Sequence, residues 1–539
     1  MVESRRSRQP STVLLLAIFY LALTALHIPL LHLPYFWDEA GYYVPAARDI
    51  FLAGSLIPHS TLSNAHPPLV MAYIALAWKI AGFKPVVTRA AMLLIAAVAV
   101  LGVFRLAQRV ANIEVAVGAA ICSALYPVFY AQSSLLHLDL AAAAFTFWGL
   151  LAYVEDRAWA TALWFSLAAL TKETAILVPV ALIAHMIGKQ LRHVLQSHQP
   201  CPHTAPVSPA EFREDFRKIP PNRMWYALLA PMVPLGLWYA YHWHQTGFIL
   251  GNPEFYRYNV QSTLQPLRIA LALGMRLWQL LGYMGLYLLT LPTLVAMWLP
   301  PISDRGEERQ RIALDVQFSF LAVILAFLAA MAAIGGAVLA RYMLPVIPLV
   351  MIICISTLRR RVGYWWVVVG IAAVAFVVGW GLNPSCGFSF EDNLAYRDYI
   401  RLHERGENFL QERYPASRVL TAWPASDELK RPYLGYVTRP MRVVRIEDFT
   451  VEQLMAAADL RSDFDVALVF STKYELPHRW FARWQTWERW NTRFFGYHRD
   501  VPPEAAAQIL GGLLVYSERR GGQWIGIIET RQVQEVRKH

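Results

Sequence analysis

Long apolar runs recur along most of the 539-residue chain, and they restrict what it can become. Charge is sparse in 12–33, 89–109, 113–131, 139–154, 159–171, 173–187, 224–243, 282–299, 315–334, 343–357 and 363–381. A bilayer span needs about 20 apolar residues, fewer where a helix is kinked or sheltered, so these runs predict about eleven spans. Composition agrees: 56% of residues are hydrophobic and only 16% charged, where a soluble domain carries about 25% charged residues. That excludes a soluble enzyme and a disordered chain. The 19 Trp and 25 Tyr suit a protein that lines two membrane interfaces.

The net charge of +11 reads as Lys/Arg retained on the cytoplasmic side, not as a nucleic-acid footprint; no nucleic-acid partner is expected. Arg5, Arg6 and Arg8 precede the first run, which is too long for a signal-peptide core and has no small-residue cleavage site after it, so it is expected to stay uncleaved with its start in the cytoplasm. The segment Pro67–Phe83 is also apolar. If it crosses, the loops carrying Arg105 and Arg109, 189–223, Arg305–Arg311 and Arg359–Arg361 all face outward. If it lies along the outer interface as an amphipathic helix, they all face the cytoplasm, and the positive-inside rule selects this arrangement. Cys122, Cys201, Cys354 and Cys386 show no CxxC or zinc spacing and suggest no disulfide framework.

Charge density rises after Asn383. The patches RVLTAW, VVRIEDF, FDVALVFS and QWIGIIE read as strands, and Asp392–Arg413 and Val451–Leu460 as helices. The expected fold class is therefore a polytopic α-helical membrane protein over 1–381, its first external loop (34–88) carrying interfacial helices, followed by an extracytoplasmic α/β domain over 382–539.

On this threading the outer surface collects ionisable residues. Asp38 and Glu39 follow the first span directly; the plain alternative is a solvated helix cap. His66 precedes two prolines. His137 and Asp139 open an apolar span. Lys172 and Glu173 interrupt another, and as an i,i+1 pair they do not face each other on a helix. Arg341 and Tyr342 begin a later span, where an arginine either snorkels as an anchor or grips a phosphate. Acids for proton abstraction beside cations for a phosphate leaving group are the equipment for moving a sugar from a lipid phosphate.

The motifs WDEAGYY, HPPL, LDLAAAAF, LTKETA, NPEFYRYN and ARYMLPVIPL stand in this order over roughly residues 10–360. In this the chain resembles the GT-C membrane glycosyltransferases, above all the bacterial branch similar to dolichyl-phosphate-mannose protein mannosyltransferases and to the aminoarabinose transferase of lipid A. The resemblance implies a hexosyl- or pentosyltransferase of the bacterial cytoplasmic membrane, with a polyprenyl-phosphate sugar donor and a lipid, glycan or protein acceptor. It implies that Asp38 is the catalytic acid position with Glu39 as partner. Lys172, Arg341 and Tyr342 are implied near the donor phosphate. His66 stands where the aminoarabinose branch has Lys, which leans away from that sugar. Asp139 matches a second acidic position, with His137 beside it; Asn252 and Tyr256 lie in a segment implied to line the acceptor entrance. No cofactor is required; a divalent metal is compatible, with Glu39, His66 and Asp139 as its candidate ligands. Two other readings stand beside this one: a transporter or flippase of lipid-linked glycans, whose spans also break around polar residues, and a non-catalytic membrane scaffold.

Overall fold

The computed structural model describes residues 11–197, 223–474 and 484–530. Arg5, Arg6, Arg8, Cys201 and most of the basic loop 189–223 lie outside the described residues. Among the described residues, four helices are long and apolar enough to cross a bilayer: Thr12–Leu30, Pro85–Val110, Glu173–Arg192 and Leu314–Ala333. The pair Pro266–Gly285 and Tyr287–Ala296, bent by 102°, makes a fifth if counted as one span. The expected count of about eleven differs because many runs form shorter helices. The run 113–131 breaks at Pro127 into Ile113–Leu125 and Pro127–Gln132, and 224–243 breaks at Pro231 into Arg223–Leu229 and Met232–Thr246. Proline lacks the N–H that would continue the helix ladder and fits the first turn of a new one. Pro266–Leu281 is a helix that lies outside the eleven expected runs.

Helix direction decides what meets at each end of the bundle. Pro85–Val110 carries Arg89 near its start and Arg109 near its finish. Leu138–Val154 starts beside Asp139 and runs away; Ala158–Thr171 returns and ends at Lys172. Ile347–Arg361 leaves the turn containing Arg341 and ends on Arg359, Arg360 and Arg361, about 22 Å away at 1.5 Å per residue. At that far end a small hairpin, β1 (Ser303–Asp304) and β2 (Glu307–Glu308), is tied to the helix terminus: Arg309 donates to the Arg359 carbonyl at 2.8 Å and Arg360 pairs with Glu308 at 2.5 Å. Basic ends thus gather at one end and the acidic and mixed residues at the other.

Leu69–Ala81 is a short helix between the first loop and the start of Pro85–Val110, where Trp78 donates to Thr88 at 2.8 Å. The chain after the last apolar helix (Trp365–Gly379) forms a five-stranded mixed sheet. Its strands are β3 (Arg418–Thr421), β4 (Arg442–Arg445), β5 (Val466–Phe470), β6 (Leu513–Arg520) and β7 (Gln523–Glu529), in the order β4-β3-β5-β7-β6. β3 runs parallel to β4 and β5; β7 is antiparallel to β5 and β6. Four strands coincide with the apolar patches of the sequence. β6 is the unexpected one, joined to β7 across Gly521-Gly522, both at positive φ as a two-residue hairpin turn needs.

The first loop and the sheet share one core. Tyr35, Phe36, Tyr43 and Trp78 bury together with Tyr396, Tyr399, Leu434 and Phe470. The backbone N–H of Tyr35 donates to the Leu434 carbonyl at 3.2 Å, and Arg431 donates to the Ser60 carbonyl at 2.7 Å. Trp37 meets Trp423 edge-on at 5.3 Å, a pair worth about 0.5–1.5 kcal/mol beyond area burial. The composition boundary near residue 381 is therefore not a packing boundary.

Candidate active site

Arg341 organises the acidic end. It sits in the 3-10 turn Ala340–Met343 ahead of a helix, and its side chain is 3% exposed. Its guanidinium reaches Asp38 at 2.5 Å and Glu391 at 2.7 Å, and its Nε lies 3.2 Å from Asp139, without hydrogen-bond alignment. Asp38 follows Trp37, whose φ of 44° is uncommon for a residue with a Cβ and is enclosed by the rings of Trp423 and Tyr399. At 20% side-chain exposure Asp38 is the accessible carboxylate of the group; Asp139 and Glu391 are buried.

Lys172 completes the group from the opposite side. It is the C-cap of Ala158–Thr171 in an extended conformation, which lifts it off the helix. Its Nζ lies 2.5 Å from Asp139 and 4.2 Å above the Tyr342 ring. Arg341 and Arg276 approach the same ring at 5.6 and 5.5 Å. Three carboxylates thus face Arg341 and Lys172. Burial pushes the Glu391 carboxyl up to about 8 and the Asp392 carboxyl up to about 6, while the Arg341 guanidinium opposes the rise at both.

His137 packs against this group. Gln132 donates through Nε2 to the Glu391 carbonyl at 3.1 Å, which leaves its Oε1 facing His137 Nδ1 at 2.7 Å. That arrangement sets the proton on Nδ1, so the Arg341 approach at 2.9 Å is a contact and not a bond to that atom. The Tyr43 ring stands between His137 at 6.0 Å and His66 at 6.2 Å.

The other expected residues are placed around this centre. Glu39 does not join it. Fully buried, it pairs with Arg89 and accepts from the N–H groups of Phe36 (2.8 Å) and Leu136. Arg89 also donates to the carbonyls of Pro34 and Ser134, both at 2.9 Å, so the pair pins the first loop to the turn before Asp139. His66 bonds Glu173 at 2.8 Å. Asn252 caps the helix Pro253–Asn259 by accepting from Phe255 N–H, and its Nδ2 donates to the Ser63 carbonyl at 3.1 Å. Tyr256 on that helix is 41% exposed. The same helix reaches the loop before Arg341: the Asn259 carbonyl and side chain accept from Gly335 and Gly336 N–H at 2.8 and 3.2 Å.

The metal candidates Glu39, His66 and Asp139 face different partners: Arg89, Glu173 and Lys172. A carboxylate–histidine group that could hold an ion is instead Asp38, His137 and Glu391, whose ligand atoms lie within 4.8 Å of one another. Arg341 already contacts all three, so a cation there would have to displace it or share its acids.

Glu391, Gln132, Arg89, Tyr43 and Arg276 went unremarked in the sequence. The only signal for Glu391 was its place in FEDN, just beyond the last apolar run; nothing local tied it to Arg341.

Comparison with known proteins fits this architecture. Residues 65–207 match the family model described as dolichyl-phosphate-mannose-protein mannosyltransferase. No curated protein sequence matches the chain significantly. Among solved structures, the fold is similar to ArnT from Cupriavidus metallidurans bound to undecaprenyl phosphate: TM-score 0.54 at 14% identity, covering 96% of this chain and 97% of that one. The apo state of ArnT from the same organism gives TM-score 0.50 at 14% identity, with 96% and 98% covered. The resemblance to GT-C membrane glycosyltransferases read from the motifs is thus borne out in the fold.

Proposed function

We propose that the protein is a glycosyltransferase that moves a sugar from a polyprenyl-phosphate donor to a lipid, glycan or protein acceptor at the outer face of the bacterial cytoplasmic membrane. The observation that carries this reading is the convergence of Asp38, Asp139, Lys172, Arg341 and Glu391 at one end of the bundle, with Asp38 alone substantially exposed. The gathering of Arg359–Arg361 and Arg309 at the other end supports the sidedness, since basic residues are retained in the cytoplasm. ArnT, similar in fold, has been solved with undecaprenyl phosphate, which supports a polyprenyl phosphate as ligand class.

The mechanism is a single displacement. An acceptor oxygen or nitrogen attacks the anomeric carbon while the bond from that carbon to the phosphate oxygen breaks. Asp38 takes the acceptor proton. The departing polyprenyl phosphate gains negative charge, which Arg341 and Lys172 meet from a buried pocket where such charge is worth most. Asp139, between the two cations, keeps them aimed. Tyr342 supports Lys172 through its ring face, and His137 backs Arg341. Glu39 holds the loop that presents Asp38. His66, Asn252 and Tyr256 border the side on which the acceptor enters, and the sheet region packs along the same loop.

The test is turnover of purified Asp38→Asn protein on a polyprenyl-phosphate sugar. A loss of about 100-fold or more is expected for removal of a general base; unchanged turnover removes that role. A flippase would retain lipid-linked glycan transport in this variant and show no transfer in the wild type.

A further inference from the structure

The geometry points to a second polar centre, separate from the Arg341 cluster, that binds a divalent transition-metal ion of the zinc class through His403, Glu407 and Glu428. His403 and Glu407 stand four residues apart on Ala395–Arg413, hence on one helix face. Glu428 ends the short helix Ala425–Glu428. His403 Nδ1 lies 2.7 Å from Glu428 and 3.6 Å from Glu407, and one ligand atom from each residue falls within 4.8 Å of the others. Ligands about 2.0–2.2 Å from one zinc ion span such separations.

Burial argues that something is bound. All three side chains are at most 1% exposed. The rings of Tyr399 (3.9 Å) and Phe470 (4.6 Å) enclose the imidazole. Among the described residues no Lys or Arg pairs with either carboxylate; they face His403 and each other. Both Glu407 oxygens and one Glu428 oxygen have no donor other than a proton shared between the two carboxyls. Buried polar atoms left this way are costly, and carboxylates most of all. Two carboxylates and a neutral imidazole balance a divalent ion, and this N/O donor set suits zinc.

The site would tie two elements that matter elsewhere. Glu428 lies five residues after Trp423, which packs on Trp37 beside Asp38, and six before Leu434, which pairs with Tyr35. A bound ion would therefore clamp Ala395–Arg413 to the segment that braces the first loop. This inference does not depend on the transferase reading.

The experiment is metal analysis of the full chain, purified in detergent without metal-affinity steps after growth with zinc. Wild type is expected to hold about one zinc per chain, and Glu407→Gln and His403→Ala to hold at least tenfold less while eluting as folded protein. Replacement by Co(II) should give ligand-field bands in the wild type that vanish in Glu428→Gln. If the variants fail to fold, X-ray absorption of the zinc-loaded wild type decides, with one imidazole and otherwise oxygen donors expected. Zinc-free wild type that shows no cobalt bands overturns the proposal and leaves a carboxyl pair sharing a proton with His403. So does equal metal in wild type and variants, which would move the ion to another site.

Discussion

Lys172 and Glu173 are adjacent in the chain yet serve opposite partners: Lys172 Nζ lies 2.5 Å from Asp139, and Glu173 lies 2.8 Å from His66. The helix break between them makes this division. It turns Lys172 into the cluster around Arg341 and leaves Glu173 to anchor the end of the first loop. One interruption in an apolar run thus positions a cation and fixes the loop opposite it.

The buried Lys172–Asp139 pair predicts non-additive stability. Lys172→Met leaves Asp139 as a buried acid with only Arg341 nearby, and removing one partner of a buried pair costs about 3–5 kcal/mol. The double variant Lys172→Met/Asp139→Leu should recover part of that loss. Thermal unfolding of the single and double variants in detergent checks the sign; a double variant as unstable as the sum of the singles contradicts it.

Asp38 and Glu39 should separate activity from stability. Asp38→Asn removes an accessible carboxylate and should leave the melting temperature nearly unchanged while transfer collapses. Glu39→Ala removes the partner of buried Arg89 and two backbone N–H groups, so it should unfold the protein at markedly lower temperature. Melting curves beside turnover for both variants distinguish the roles.

Glu391 gives a pH prediction. Burial raises its carboxyl from 4.5 to about 8, so between those values the folded chain holds a proton that the unfolded chain has released. Stability from this group is therefore full below about 4.5 and declines as pH rises through 8. Glu391→Gln, which cannot ionise, should flatten the fall in melting temperature between about pH 5 and 8. A slope identical to wild type would show that another group carries it.

Sidedness can be read by labelling. Leu62, 64% exposed in the first loop, and Glu307, exposed in the small hairpin, lie toward opposite ends of the bundle. With the native cysteines replaced by Ser, Leu62→Cys should react with an impermeant maleimide on intact cells, and Glu307→Cys only after permeabilisation. Reaction of both from one side would remove the proposed orientation.

Much of this was legible in the residues, for identifiable reasons. Helix starts were visible where an ionisable residue opened an apolar run, as at Asp139 and Glu173, while the run expected from residue 89 starts earlier, at Pro85. Four strands announced themselves by alternating apolar patches. The helix Pro266–Leu281 was hidden because Arg268, Arg276 and Gln279 lower its hydropathy; folded, the three are buried and donate to carbonyls of the turn before Arg341. The division of labour between Asp38 and Glu39 was also hidden. It depends on Arg89, some fifty residues on, and on Glu391 and Arg341, whose pairing no local spacing encodes.

The core shared by Tyr35, Phe36 and Tyr43 with Tyr396, Tyr399 and Phe470 sets a rule for anyone building chimaeras of this chain. Exchanging the sheet-bearing segment alone would graft a foreign surface onto half of an interior. The first loop has to travel with it, so any change of specificity introduced through the sheet segment must also reckon with the peptide that carries Asp38.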